Sequence, residues 1–270
     1  MRKIQVSALA LMIGAIGFAQ TNTSNVVQNS AGTTAGGHVA TVEQIGDANY
    51  SSVEQFHGGN TSTVDQDGDR NFSRIVQTYR YGNVATIEQI GDDNRSYGTS
   101  NGMGNTYDVF QRGNDHNSYF YQLGNENDNT VIQDGGDDNN SVVHQYGSNN
   151  VSSTEQIGNN NESLVDQGTS LNRSNGNRSE VAQYGADQDP NGGYNKSNVD
   201  QLGLGSHESD VYQDGNYNGS IVLQDGLLHK SVVYQLGNSN MSDVSQTGNN
   251  HMSDVDQRGN GNMSNVNQSN

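Results

Sequence analysis

The sequence predicts an all-β solenoid of stacked strand-turn-strand coils with about 22 residues per coil, and three observations predict it. Glutamine recurs every eleven residues along most of the chain, the residues before each glutamine alternate with period two, and glycine follows in the turn. Helical spacing of three and four is absent, so a strand is the consistent reading of each unit.

The elements follow in order. Residues 1–20 have a basic start (Arg2, Lys3), an apolar run from Val6 to Phe18 and a small residue at Ala19. This is the pattern of a cleaved signal peptide, and the run is short of the ~20 residues that span a bilayer. Residues 21–37 form an N-terminal segment with one unit ending at Gln28; the irregular stretch 29–37 separates it from the array and suggests an export-targeting role. Residues 38–270 carry the repeat array of about ten coils, which at the inter-strand spacing makes a rod on the order of 50 Å long. Longer turns interrupt the rhythm near 168–176 and 184–194, the second holding the only proline, Pro190.

Each unit reads N-x-S-x-V-x-Q-x-G-x-x, as at Asn49, Ser51, Val53 and Gln55. Residues two apart on a strand share a face, so these four point inward together. The predicted glutamine ladder is Gln44, Gln55, Gln66, Gln77, Gln89, Gln111, Gln122, Gln133, Gln145, Gln156, Gln167, Gln183, Gln201, Gln213, Gln224, Gln235, Gln246, Gln257 and Gln268, with Ser100 closing a degenerate unit. The asparagine ladder is Asn49, Asn60, Asn71, Asn83, Asn94, Asn105, Asn127, Asn139, Asn150, Asn161, Asn177, Asn195, Asn218, Asn240 and Asn262. Val42, Val53, Val64, Ile75, Ile87, Val109, Val255 and Val266 exemplify the apolar core slot. Each Asn or Gln amide is expected to donate to one neighbouring coil and accept from the other, which relieves the cost of burying it. Five histidines, His38, His116, His207, His229 and His251, occupy the asparagine slot. Imidazole also donates and accepts at once, so substitution for Asn is favoured over metal ligation, and protonation below about pH 6 is expected to disturb the ladder.

Composition sets the function classes. Only 30% of the 270 residues are hydrophobic, with 34 glycines, no cysteine and a formal charge of -18. A conventional core is excluded by that balance, disulfides by the missing cysteine, and nucleic acid and anionic membranes by the charge. The outward acidic residues Glu43, Glu54, Asp65, Glu88 and Asp256 read as gatekeepers that keep a β-prone chain soluble. Tyr50, Tyr97, Tyr121, Tyr212 and Tyr234 also project outward on this register. The repeat runs undamaged to Gln268, so no capping unit is expected at that end, and a rod with complementary open ends adds head to tail into a filament.

The N-x-S-x-V-x-Q-x-G unit at double spacing behind a signal peptide resembles the curlin repeat of curli subunits, across residues 38–270. The resemblance implies an exported, non-enzymatic subunit of an extracellular amyloid fibre at the bacterial surface, contributing to biofilm matrix and adhesion. It implies the chain itself as fibre partner, an outer-membrane curli-type secretion pore and a nucleator subunit, with no cofactor, nucleic acid or membrane insertion. A monomeric secreted adhesin is the competing reading. An ice-binding solenoid would need a flat threonine ladder, and the sequence shows Thr61 and Thr63 as an isolated pair. A calcium-binding nonapeptide frame does not recur, although Asp92, Asp93, Asp137 and Asp138 sit in turns. Catalytic and metal sites are not expected, because a thin rod offers no concave pocket.

Overall fold

A computed structural model describes residues 21–29, 37–171, 173–185 and 193–270. The signal-peptide reading of residues 1–20, most of the 29–37 interruption and Pro190 lie outside the described residues.

Twenty-one strands alternate between two parallel sheets. The first sheet holds the odd strands: β1 (Thr23–Asn29), β3 (Tyr50–Phe56), β5 (Phe72–Thr78), β7 (Arg95–Asn101), β9 (Asn117–Leu123), β11 (Asn140–Tyr146), β13 (Glu162–Gln167), β15 (Lys196–Gly205), β17 (Gly219–Leu227), β19 (Met241–Asn249) and β21 (Met263–Ser269). The second holds the even strands: β2 (Val39–Ile45), β4 (Thr61–Asp67), β6 (Val84–Ile90), β8 (Thr106–Asn114), β10 (Asp128–Asp137), β12 (Val151–Ile157), β14 (Arg178–Tyr184), β16 (Glu208–Asp214), β18 (Lys230–Leu236) and β20 (Met252–Arg258). Every strand pairs with the strand one coil away, slot on slot, as in Val53 on Ile75 and Gln55 on Gln77.

Why the chain turns where it does follows from the backbone. In most of the turns that follow a glutamine, glycine adopts a positive φ, 101° at Gly46 and 123° at Gly68. At Gly68 glycine is required twice over, since a Cβ there would also land on the carbonyl of Gly91 in the next coil. Two residues later a second left-handed residue, Ala48 or Arg70 in these turns, completes the reversal.

The valine slot forms the core. Val53, Val64, Ile75, Ile87 and Val109 are buried, as are the slot valines from Val131 and Val143 onward to Val255, while Val26, Val42 and Val266 pack against them half-buried. A fully buried valine side chain contributes about 1.5–3 kcal/mol. This single apolar column per sheet is thin, and the buried polar slots on either side must therefore be paired.

The unit ending at Gln28, set apart from the array in the sequence, stacks on it. Strand β1 pairs with β3 over its whole length, and Gln28 Nε2 donates to Gln55 Oε1 at 2.8 Å. The described rod is thus one half-coil longer than ten coils. The irregular stretch lengthens the connection without shifting the register, because a solenoid turn tolerates inserted residues as long as its two ends stay in place.

Candidate assembly site

The inner polar columns are the features that could join one coil to another. In the even sheet the glutamine ladder is unbroken: Gln44, Gln66, Gln89, Gln111, Gln133, Gln156, Gln183, Gln213 and Gln235 each donate Nε2 to the next Oε1, ending at Gln257, over 2.7–2.9 Å. In the odd sheet the same bond links Gln55 to Gln77, then Gln122, Gln145, Gln167, Gln201, Gln224, Gln246 and Gln268, over 2.8–3.0 Å. The ladder is polar, since every amide donates toward the later coil. The second N–H crosses to the other sheet, as from Gln66 to Tyr50 O at 3.2 Å and from Gln133 to Asn117 O at 3.0 Å. Glutamine therefore ties coil to coil and sheet to sheet at once.

Asparagine departs from the expected amide-to-amide ladder. Asn49 Oδ1 accepts the backbone N–H of Asn71 at 2.8 Å, while its Nδ2 donates to Gly68 O at 2.6 Å and Ile45 O at 2.9 Å. The pattern repeats through Asn71, Asn94, Asn127, Asn150, Asn218 and Asn240. The Asn side chain is one methylene shorter and sits where the turn enters the strand. Backbone groups of the adjacent turn are in reach there, and direct side-chain pairs occur only in places, such as Asn83 to Asn60 at 3.2 Å. Asparagine is a turn clamp, satisfying backbone groups that the reversal leaves unpaired.

Histidine takes over the clamp's two roles. His116 Nδ1 accepts Asn139 N–H at 3.2 Å, and its Nε2 lies 3.2 Å from Arg112 O. Burial lowers the pKa of His38, His116 and His207, favouring the neutral ring that this bonding requires.

The serine column behaves differently. Ser73 bonds Ser51 at 3.2 Å, yet the buried hydroxyls of Ser96, Ser118, Ser141, Ser163, Ser197 and Ser209 have no protein partner. Their role is steric: a small side chain between the core and the Asn clamp.

The degenerate unit is legible in the sequence, but the packing that compensates for it is not. In the degenerate unit β7, Gly98 fills the valine slot and Ser100 the glutamine slot. Phe120 stacks on Gly98 in the next coil, and a Cβ at Gly98 would fall inside the Phe120 ring. Tyr107 takes the serine slot of β8, fully buried against Phe120 with centroids 3.9 Å apart and its hydroxyl unpartnered. The odd ladder is interrupted here, with Ser100 Oγ donating to Gln122 Oε1 at 2.8 Å. A signal was present: the one glycine in a valine slot lies 22 residues before the one phenylalanine.

On the outer faces, Glu43, Asp65 and Glu88 are registered neighbours in the even sheet. Burial first, then Glu43, Glu88 and Asp67, raise the Asp65 pKa. Glu54 lies in the odd sheet beside Arg74 at 3.3 Å, and Asp256 closes the far end of the same even-sheet column beside Arg258 at 3.1 Å. The tyrosines form short stacks: Tyr50 on Phe72 at 5.0 Å, Phe72 on Tyr97 at 4.9 Å, Tyr121 on Tyr146 at 5.7 Å and Tyr212 on Tyr234 at 4.8 Å.

Thr61 and Thr63 are not an isolated pair, because Thr63 lies between Thr41 and Thr86. Asp108 ends that row and the Glu43-Asp65-Glu88 column borders it, so the uncharged flat face is still not formed. The turn aspartates act as staples: Asp92 Oδ1 accepts Asp69 N–H at 2.8 Å, and Asp93 pairs with Arg70. Among the described residues, no group of three or more His, Asp or Glu is placed to hold a metal ion.

The family model for the curlin associated repeat matches residues 39–68 and 102–135, the first containing β2 to β4 and the second β8, β9 and most of β10. Comparison with curated proteins gives no match.

Proposed function

We propose that this chain, a curlin-repeat protein, is a structural subunit that adds to copies of itself to build an extracellular curli-like amyloid fibre. The observation that carries the reading is the polarity of the glutamine ladder. The described rod presents Oε1 of Gln28 and Gln44 at one edge and Nε2 of Gln257 and Gln268 at the other, by the sense of every bond between them. Among the described residues, no strand pairs the outer edges of β1, β2, β20 and β21. A second copy stacked in the same sense on either sheet forms there the bonds that already join neighbouring coils, and a contact of that kind does not close on itself.

In this reading residues 1–20 are the leader and 21–37 the segment read by an outer-membrane curli-type pore. A nucleator subunit starts the fibre, and the finished polymer serves biofilm matrix and surface adhesion. The acidic outer rows hold the chain in solution until export is complete.

The test is thioflavin T fluorescence with electron microscopy and fibre diffraction on the chain lacking residues 1–20, diluted from denaturant at micromolar concentration. Unbranched fibres with a meridional reflection near 4.8 Å are expected. A β-rich monomer that never elongates replaces this reading with that of a monomeric secreted adhesin.

A further inference from the structure

The clamp column of the even sheet changes chemistry along the rod. It runs from His38 through Asn60, Asn83, Asn105, Asn127, Asn150 and Asn177, and then becomes His207, His229 and His251. The three imidazoles stack face to face, with centroids 5.1 and 5.2 Å apart and planes within 8°. His229 N–H donates to His207 Nδ1 and His251 N–H to His229 Nδ1, each at 3.2 Å. On the other side of each ring Nε2 meets a turn carbonyl: Leu202 O at 2.6 Å, Asp225 O at 3.1 Å and Thr247 O at 3.0 Å.

Both ring nitrogens of His207 and His229 are therefore committed, and the bonding demands one tautomer, with the proton on Nε2 and a lone pair on Nδ1. His207 and His229 are buried, whereas His251 is half-buried beside β20, the outermost described strand of its sheet. The Nδ1 of His251 holds the position that, at the two imidazoles before it, accepts the N–H of the following coil.

We propose that this stack makes the β20 edge a proton-gated docking edge for a second copy of the chain: neutral imidazoles accept the incoming backbone N–H, and imidazolium refuses it. The proposal rests on the reading of the rod as a self-adding subunit, and the β18–β20 pairing is the interface that the second copy continues. Protonation puts N–H against N–H at Nδ1 and sets cations about 5 Å apart along the column. Charged groups among the described residues flank it. They are Asp225 in the turn before His229, and Glu208, Lys230 and Arg178 at the starts of their strands, where Glu208 lies 3.0 Å from Lys230 and 3.5 Å from Arg178. Burial lowers the His207 pKa and the neighbouring His229 imidazole adds to the lowering; together they outweigh the Leu202 carbonyl and Asp225, which favour the charged ring. With the folded value below the ordinary one of about 6.5, the stabilisation from neutral His207 is present above that pH and is lost as pH falls toward the folded value.

The test compares the wild-type chain with the His207→Asn, His229→Asn, His251→Asn triple variant, and with His251→Asn alone in case the triple variant misfolds. Hydrogen exchange is read first, at about pH 7.5 and pH 5, either side of the ordinary imidazole value. Corrected for intrinsic rates, protection of the His229 and His251 amides is expected to fall about tenfold at the lower pH, while the Asn-clamped amides of Asn83 and Asn105 hold. Seeded elongation is read second. The wild-type rate is expected to fall by about fivefold or more at the lower pH and that of either variant by less than about twofold. Equal exchange responses in wild type and the triple variant, or equal elongation responses in wild type and either variant, overturn the proposal; His251→Asn alone keeps both imidazole acceptors and is expected to match the wild-type exchange response. If no protein elongates at any pH the fibre reading fails, and the proposed docking edge fails with it; the exchange data then still decide whether the column opens on protonation.

Discussion

Gly98→Val is the most informative substitution, because it restores the repeat consensus and should nonetheless damage the rod. The valine Cβ would lie within the Phe120 ring, so the ring must leave its slot, and Tyr107, packed 3.9 Å from it, must follow or move. Displacing a fully buried phenylalanine forfeits a contribution similar to its truncation, about 3–5 kcal/mol, well above the ~1–3 kcal/mol typical of adding a methylene to a tight core. Long repeat arrays need not unfold in one step, so the assay is hydrogen exchange resolved by strand, reading β7 and β9 against β17 and β19 as an internal reference. Protection is expected to collapse in β7 to β9 and to survive in β17 and β19. The companion variant Gly98→Val with Phe120→Val returns both slots to the consensus, and should recover all but about 1 kcal/mol. A neutral Gly98→Val, or a double variant no better than the single, would refute the claim that these two slots compensate each other.

Other expectations follow the same columns. Gln133→Ala strands the Gln111 donor and the Gln156 acceptor and should cost about 2–5 kcal/mol by denaturant titration, whereas Ser197→Ala, whose hydroxyl has no protein partner, should stay within about 0.5 kcal/mol of wild type. Asp65 has a folded pKa raised by burial and by Glu43, Glu88 and Asp67, so its ionised form opposes folding at neutral pH and the opposition fades as pH falls through the raised value. Asp65→Asn should therefore raise the melting temperature at pH 7 and make little difference near pH 3; an equal gain at both would show that the carboxylate charge is not the cause. Ser100→Gln, which restores the missing rung between Gln77 and Gln122, should increase exchange protection of β5 and β9, and unchanged protection there would mean that the interruption has no energetic consequence.

The eleven-residue period, the alternation within each unit and the glycine after each glutamine determined by themselves that the chain coils, which residues face inward and where it reverses. These are local properties: strand alternation and turn chemistry act within one unit, and one unit is legible in one line of sequence. What lies 22 residues away is decided by stacking, and there the tertiary structure was needed. Gln167 and Gln201 are 34 residues apart yet bond at 3.0 Å, because the strands that carry them keep register across the inserted sequence. The same stacking brought β1 onto β3, set Thr41 and Thr86 beside Thr63, and put Glu43, Asp65 and Glu88 next to one another while leaving Glu54 in the other sheet and Asp256 at the far end of the same column. It also assigned asparagine to the backbone rather than to its own kind. A slot's residue type is written in the sequence, but what that side chain bonds depends on its reach and on the neighbour above it, and only the stacked rod supplies that neighbour.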